Sequence, residues 1–369
     1  MVKKRGGANH KLIDQHLLLL KNLQYPSGLF AASNKKVSTG YDKSWLRDNF
    51  YECLAFEYLG DFSTVKLCYK AILAIFLKHE YKVDYAIAKK PQHRHEYIHA
   101  RFHPETFDEF WEEWGNKQND SIGSILYKIG ELQTIHNIKI LETPDEYRIV
   151  QKMVYYLASL EYWHDADSGM WEENEEVHAS SVGACVAGLT MISKVKSIDV
   201  PGWLIEEGKI ALSALLPRES ERYAFDLSQL SLIWPYQVVT KKEAEQILER
   251  VEYFLVRKNG VIRHKNDYYY NADSDGSSQE AEWTFGMFWL AIIYHQLQDK
   301  KKALYYFKQS LKLPVKGGIP ELYYANSGKF NENTPLGWSE SLFIVMLLLF
   351  GGKGKKKLVK EASKSRKKR

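Results

Sequence analysis

Twelve stretches of this chain return apolar residues at the three-to-four spacing of an α-helix. They fall at 10–23, 45–59, 62–79, 118–137, 145–162, 178–193, 202–215, 225–234, 241–256, 282–297, 300–311 and 337–350. Start signals agree with several of these bounds. Pro144-Asp145 and Pro201 precede helices, and Asp61 followed by Ser63-Thr64 suits an N-cap. Six successive helix pairs are the count of an all-α (α/α)6 barrel, a toroid in which inner and outer helices alternate. The near-continuous apolar character of 285–294 and 342–350 suits inner helices packed on both sides. A solenoid of repeated pairs would show a fixed period, and none is found. One domain at 11–351 is therefore expected, between a basic segment at 1–10 and a disordered Lys/Arg-rich tail at 352–369.

The ends more than account for the formal net charge of +5, and without them the body is close to neutral or acidic. Lys3, Lys4 and Arg5 open the chain, and 353–369 is dense in Lys and Arg with few apolar residues. Such runs are read as solvated tails, so a nucleic-acid partner is not expected. Cys53, Cys68 and Cys185 all lie in apolar helical stretches without metal-ligand spacing, which points to buried thiols in a reducing compartment. The apolar run at 342–350 is about half the length of a membrane span, and 17–20 is too short for a signal-peptide core. A cytoplasmic protein without a membrane span is the expectation.

Aromatic residues make up 14% of the chain, and two tryptophan–carboxylate signatures sit far apart in it. These are Trp45-Leu46-Arg47-Asp48 and Trp171-Glu172-Glu173. An indole face flanked by carboxylates and an arginine suits a sugar, whose ring has apolar faces and a hydroxyl-rich rim. A carboxyl wedged against an indole loses solvation, and its pKa rises. Glu172 would then hold the proton a general acid needs. Glu321, in the loop segment Pro320-Glu321-Leu322, could be the partner base. Each element has a plainer reading as well: Glu172 and Glu173 could favour the positive end of the next helix. Arg47–Asp48 could be a helix ion pair, and Asp120 or Asn119 a cap after Trp114-Gly115. The loops at 80–117, 260–281 and 312–336 are long, and their aromatic and charged content marks them as ordered and functional. His93, His95, His99 and His103 match no metal spacing, and there is no phosphate-cradling glycine loop. No metal and no cofactor are expected.

In their order along the chain, these elements resemble family 15 of the glycoside hydrolases, the glucoamylase-like enzymes. They equally resemble the related domain of the phosphorylase kinase α and β regulatory subunits. The matching pieces are Tyr41-x-x-x-Trp45-x-Arg47-Asp48, Trp114-Gly115-x-x-Gln118-x-Asp120, Gly169-Met170-Trp171-Glu172, Glu282-Trp283 with Phe288-Trp289, Pro320-Glu321, and Pro335-Leu336-Gly337-Trp338-Ser339. The resemblance covers about 15–350. It implies an inverting α-glucoside hydrolase that releases glucose from nonreducing ends of α-glucans or maltooligosaccharides, or from a disaccharide such as trehalose. It also implies Glu172 as the acid, held near Trp114 and Trp171, and Glu321 as the base, with Tyr41 helping to place the water. Arg47 and Asp48 would grip the terminal glucose. Trp45, Gln118, Asp120, Glu173, Glu282 and Trp338 complete the expected sugar contacts. The Arg-Tyr-Pro-Glu-Asp element of glucoamylases is not found before Glu282, where 271–279 stands instead. Ser180-Ser181-Val182-Gly183, Leu216-Pro217-Arg218 and Pro320-Glu321-Leu322-Tyr323 are closer to the kinase-subunit pattern. The alternative is thus a non-catalytic glucan-binding or regulatory module.

Overall fold

The computed structural model describes residues 8–112, 114–271 and 279–351. The tail expected from 352, most of the basic segment at 1–10, and nearly all of 271–279 lie outside the described residues. Thirteen α-helices follow one another: α1 (Ala8–Leu23), α2 (Leu46–Leu59), α3 (Phe62–Lys78), α4 (Glu80–Ala88), α5 (Asn119–Thr134), α6 (Pro144–Leu160), α7 (Ala179–Ile192), α8 (Gly202–Leu215), α9 (Leu230–Ile233), α10 (Lys241–Arg250), α11 (Phe285–Gln296), α12 (Lys300–Ser310) and α13 (Gly337–Phe350).

Six of them close a ring. α2 packs on α5, α5 on α7, α7 on α9, α9 on α11, α11 on α13, and α13 returns to α2. Outside it, α1 lies on α13, α3 on α2, α8 on α7, α10 on α9 and α12 on α11, while α6 packs on α3 and α4. This is the (α/α)6 toroid that the pairing of helices implied. Burial follows the two layers. α13 is buried from Gly337 to Leu348, whereas α10 buries only Ala244, Ile247 and Leu248, one narrow stripe. The closest inner pair, α5 and α7, meets at glycines. A Cβ on Gly188 would lie 2.3 Å from the carbonyl oxygen of Gly123, so any side chain there would force the helices apart.

Local chemistry sets the helix ends. Thr143 and Thr240 each form a capping box, with Glu146 and Glu243, and Asp61 and Asp299 cap α3 and α12. Five expected elements differ. The helix expected at 225–234 is a 3-10 turn, Leu227–Gln229, and the single turn α9. Asp226 caps the start, and Trp234 is held extended before Pro235, which cannot continue a helix. The helix expected at 241–256 leaves the α form after Arg250 for a π turn, Val251–Leu255. The loop expected from 80 opens with α4, which shares His79 with α3 as end and start and is tied to α6 through Glu80, Arg148 and Lys152. Finally, the first residues of two expected helices are strands. β1 (Ser44–Trp45) pairs with β2 (Arg101–Phe102), and β3 (Glu282–Trp283) with β4 (Leu322–Tyr323). Both ladders are antiparallel, and they anchor the long loops against the N-terminal ends of α2 and α11.

Candidate active site

The N-terminal ends of the inner helices surround a pocket of about 250 Å³. Arg47 and Asp48 stand in the first turn of α2, and Trp338 at the start of α13. Helix N-termini carry partial positive charge, so carboxylates at this mouth meet a favourable field while losing water.

Glu172 reaches the pocket from the turn before α7, with a backbone φ of 64°. A non-glycine residue in that region costs about 1–3 kcal/mol and needs support from its surroundings. Gly115 supplies it: a Cβ there would lie 2.5 Å from the Glu172 carbonyl oxygen, so only glycine lets the two backbones touch. Arg47 Nη2 donates to Glu172 Oε1 at 3.1 Å. Its Nη1 serves Gln118 Oε1 at 2.8 Å and Asp120 Oδ2 at 3.1 Å. Burial pushes Glu172 up to about 7, with Arg47 opposing and Asp48 adding. Asp48 itself rises to about 6, again through burial. The Arg47–Asp48 ion pair expected from their adjacency is not formed: the guanidinium turns across the barrel to α5 and Glu172.

Glu321 faces the same pocket from the residue before β4 and is 1% exposed. Tyr41 donates to its Oε1 at 2.9 Å. Asn331 and Asn333 donate to Oε2 at 2.5 and 2.8 Å. Thr39 donates to Asn333 Oδ1 at 2.6 Å, which turns the amide nitrogen toward the glutamate. Tyr269 lies 2.8 Å from the Tyr41 hydroxyl. Burial raises Glu321 to about 7 against these donors, which favour the ionised form. A carboxyl gripped by neutral donors and another gripped by an arginine thus share one cavity.

Tyr41, Trp45, Arg47, Asp48, Trp114, Trp171, Glu172, Glu173, Glu321 and Trp338 all line this pocket. Trp338 is fixed by stacking on Tyr51 at 4.0 Å and Phe285 at 4.5 Å. Trp171 donates its indole N–H to Asp226 at 2.8 Å. Three residues named from the sequence are placed elsewhere. Gln118 and Asp120 stand behind Arg47 and orient it. Glu282 is buried behind β3, where its carboxylate accepts the backbone N–H groups of Asn259 and Asn326. Its two neighbours in the fold are loops, so it ties them together and does not face the cavity.

Sequence reasoning missed Arg263, Tyr269, Asn331 and Asn333. Arg263 lines the pocket. Its guanidinium holds both Asp267 oxygens, at 2.7 and 2.6 Å, and Glu173 Oε1 at 2.7 Å. His264 Nε2 lies 3.0 Å from Glu173 Oε2. Burial alone would raise Glu173, but His264 and Arg263 outweigh it and hold the group below its usual value. Asn331-x-Asn333 was a second available signal, since alternate residues of an extended loop can reach one acceptor.

Two acid–histidine groups among the described residues have ligand atoms close enough for a metal: Glu173, His264, Asp267 and Glu57, Glu131, His136. Each already holds a cationic side chain, Arg263 in the first and Lys128 in the second. The four histidines at 93–103 belong to neither. A larger groove of about 830 Å³ beside α10 and α12 is lined by surface ion pairs such as Lys302–Glu252, so size alone does not locate the chemistry. No helix among the described residues is long and apolar enough to cross a membrane.

The helical toroid thus encloses a tryptophan-lined pocket with two glutamates, Glu172 and Glu321. Residues 10–345 match the glycosyl hydrolases family 15, and the chain belongs to that family. Its fold is that of a wild-type glycosidase (TM-score 0.78, 18% identity, 95% of this chain and 99% of that one). It is also that of a glucoamylase from Saccharomycopsis fibuligera (TM-score 0.68, 15% identity, 96% and 99%). A bacterial glucoamylase complexed with acarbose superposes with a TM-score of 0.69 at 16% identity, over 94% of this chain and 56% of the other. Among curated relatives, a probable phosphorylase b kinase regulatory subunit alpha of Caenorhabditis elegans is 26% identical over 95% of this chain and 34% of its own length. The skeletal muscle isoform of Oryctolagus cuniculus is 25% identical, over 93% and 32%. The chain thus spans about a third of these relatives.

Proposed function

We propose that the domain at 11–351 is an inverting α-glucoside hydrolase of glucoamylase type, releasing glucose from nonreducing ends of α-glucans or maltooligosaccharides. The observation that carries this is the pairing of Glu172 and Glu321 in one cavity, each raised to about 7 but held by different partners. Glu172 protonates the glycosidic oxygen. Glu321, kept ionised by Tyr41, Asn331 and Asn333, takes a proton from water, whose oxygen attacks the anomeric carbon from the opposite face. The water sits between Glu321 and the sugar, with the Tyr41 hydroxyl beside it. Inversion requires the two carboxyl groups to stand about 6.5–9.5 Å apart, wide enough for that water. Arg47 and Asp48 bind the terminal glucose hydroxyls, and the indoles of Trp45, Trp114 and Trp338 cover its apolar faces. The three cysteines are free, which supports a reducing, cytoplasmic setting.

The test is glucose release from maltose, maltotriose, isomaltose, glycogen and trehalose, with Glu172→Gln alongside. Release by the wild type and loss in the variant support the hydrolase. The relatives named as regulatory subunits favour one other reading, a module that binds a glucan without cleaving it. Calorimetry separates the two, since heat of binding from maltose with no glucose formed would support the module.

A further inference from the structure

The short segment that carries Glu321 is pinned from two sides. On one, Thr284, the N-cap of α11, donates its hydroxyl to the Pro320 carbonyl at 2.6 Å and its N–H to the Glu321 carbonyl at 3.1 Å. On the other, the Ile319 N–H donates to Glu340 Oε1 at 2.7 Å, and the Ile319 carbonyl accepts from the Leu336 N–H at 2.9 Å. Glu340 stands in the first turn of α13, is fully buried and is not among the residues lining the pocket.

The other oxygen of Glu340 meets the outer layer of the barrel. His16 of α1 is buried, and its Nδ1 lies 2.5 Å from Glu340 Oε2, with the ring set edge-on to Phe343 at 4.7 Å. Its Nε2 is buried without a hydrogen-bond partner among the described residues. A charged ring would strand a cationic N–H there, so the arrangement favours a neutral ring that donates from Nδ1. One oxygen of Glu340 thus serves α1, and the other serves the backbone two residues before Glu321. The fit is close. Gly318 has a φ of 126°, and a Cβ on it would lie 2.6 Å from Glu340 Oε1, so only glycine brings this backbone against the carboxylate. A buried carboxylate is costly unless it is well bonded. Packing alone would favour an apolar side chain at this point of α13, as at 342–348.

We propose that Glu340, clamped by His16, is a positioning residue for Glu321. Tyr41, Asn331 and Asn333 orient the Glu321 carboxyl, whereas Glu340 fixes the backbone from which it reaches, and the outer helix α1 thereby takes part in the reaction. This rests on the hydrolase reading. The experiment measures kcat and KM on maltotetraose in the wild type, Glu340→Ala, Glu340→Gln and Gly318→Ala, with thermal unfolding alongside. Glu340→Ala frees Ile319 and is expected to lower kcat about tenfold or more with KM little changed, because a shift of about 1 Å in a reacting group can cost 10²-fold. Glu340→Gln keeps an oxygen for Ile319, and its amide can donate to His16 Nδ1 once the ring proton moves to Nε2. It should restore most of the lost kcat. Gly318→Ala removes no buried group but drives a methyl against the same carboxylate, so it should lower kcat as well. It decides the matter if Glu340→Ala does not fold. A role in folding alone predicts lower unfolding temperatures with kcat unchanged in the folded protein. That result, a change in KM in place of kcat, or equal losses in Glu340→Gln and Glu340→Ala overturns the positioning role and leaves the hydrolase standing. A folded wild type that forms no glucose overturns the hydrolase, and this role with it.

Discussion

The same two helices, α2 and α5, carry a polar cluster at each end, and the two clusters are built on opposite plans. At the N-terminal mouth, Arg47 and Asp120 belong to a site where Glu172, Glu321 and Asp48 are held near neutral pKa values around an open pocket. Ten residues along α2, about 15 Å at 1.5 Å per residue, Glu57 accepts from Lys128 of α5 at 2.7 Å, and Glu131 holds the same ammonium. Lys128 is 2% exposed, and its pKa is raised because Glu131 and Glu57 outweigh the effect of burial. That cluster sets two carboxyl groups on one ammonium, with burial raising Glu57 to about 7 as well, and it borders a cavity of only about 150 Å³. The difference lies in the setting: the mouth turns its carboxyl groups into a pocket walled by Trp45, Trp114, Trp171 and Trp338. On the proposed function, the contrast separates residues kept for chemistry from residues kept for packing, although both sets are buried and charged.

The sharpest way to break this contrast is to exchange the roles. Glu172→Gln and Glu321→Gln are each expected to lower kcat by about 10³-fold or more, the upper part of the range for removing a general acid or base. Their thermal unfolding should stay close to that of the wild type. Lys128→Met should do the reverse. It strands buried carboxylates and is expected to cost about 3 kcal/mol of stability in denaturant titration, with kcat unchanged wherever the fold persists. Loss of activity without loss of stability in Lys128→Met would erase the distinction.

Smaller effects sharpen the mouth. The base must be ionised and the acid protonated, so kcat should peak near pH 7 and fall on both sides, because both groups are raised to about 7. Asn333→Ala removes one donor that favours ionised Glu321, raising its pKa further. The acidic limb should then move to higher pH by about one unit, a shift that pH-rate profiles would detect. A shift to lower pH would contradict the proposed division of roles. Least of all, Tyr41→Phe should cost about tenfold in kcat, with one donor to Glu321 lost while Asn331 and Asn333 remain.

What could be read from the sequence was whatever is local or periodic. α11 and α13 are apolar on all sides and were legible as inner helices, and Trp171-Glu172 announced a desolvated carboxyl. Glu321 was found because it stands in an ordered series of motifs. The residues that tune it were not, since Asn331, Asn333 and Tyr269 lie in loops without period and act only through contacts formed by barrel closure. Glu282 misled for the opposite reason. Its motif is adjacent to the site in sequence, but β3 pairing with β4 buries its carboxylate among backbone N–H groups. Arg263 was hidden because its partner across the fold, Glu173, is 90 residues away.

The most direct test of the hydrolase mechanism is the anomer of the first glucose released from maltotetraose, followed by proton NMR before mutarotation. A water activated by Glu321 opposite the Glu172-protonated bond must yield β-glucose from an α-linkage. Release of α-glucose, or none from a folded protein, would contradict the roles assigned to the two glutamates.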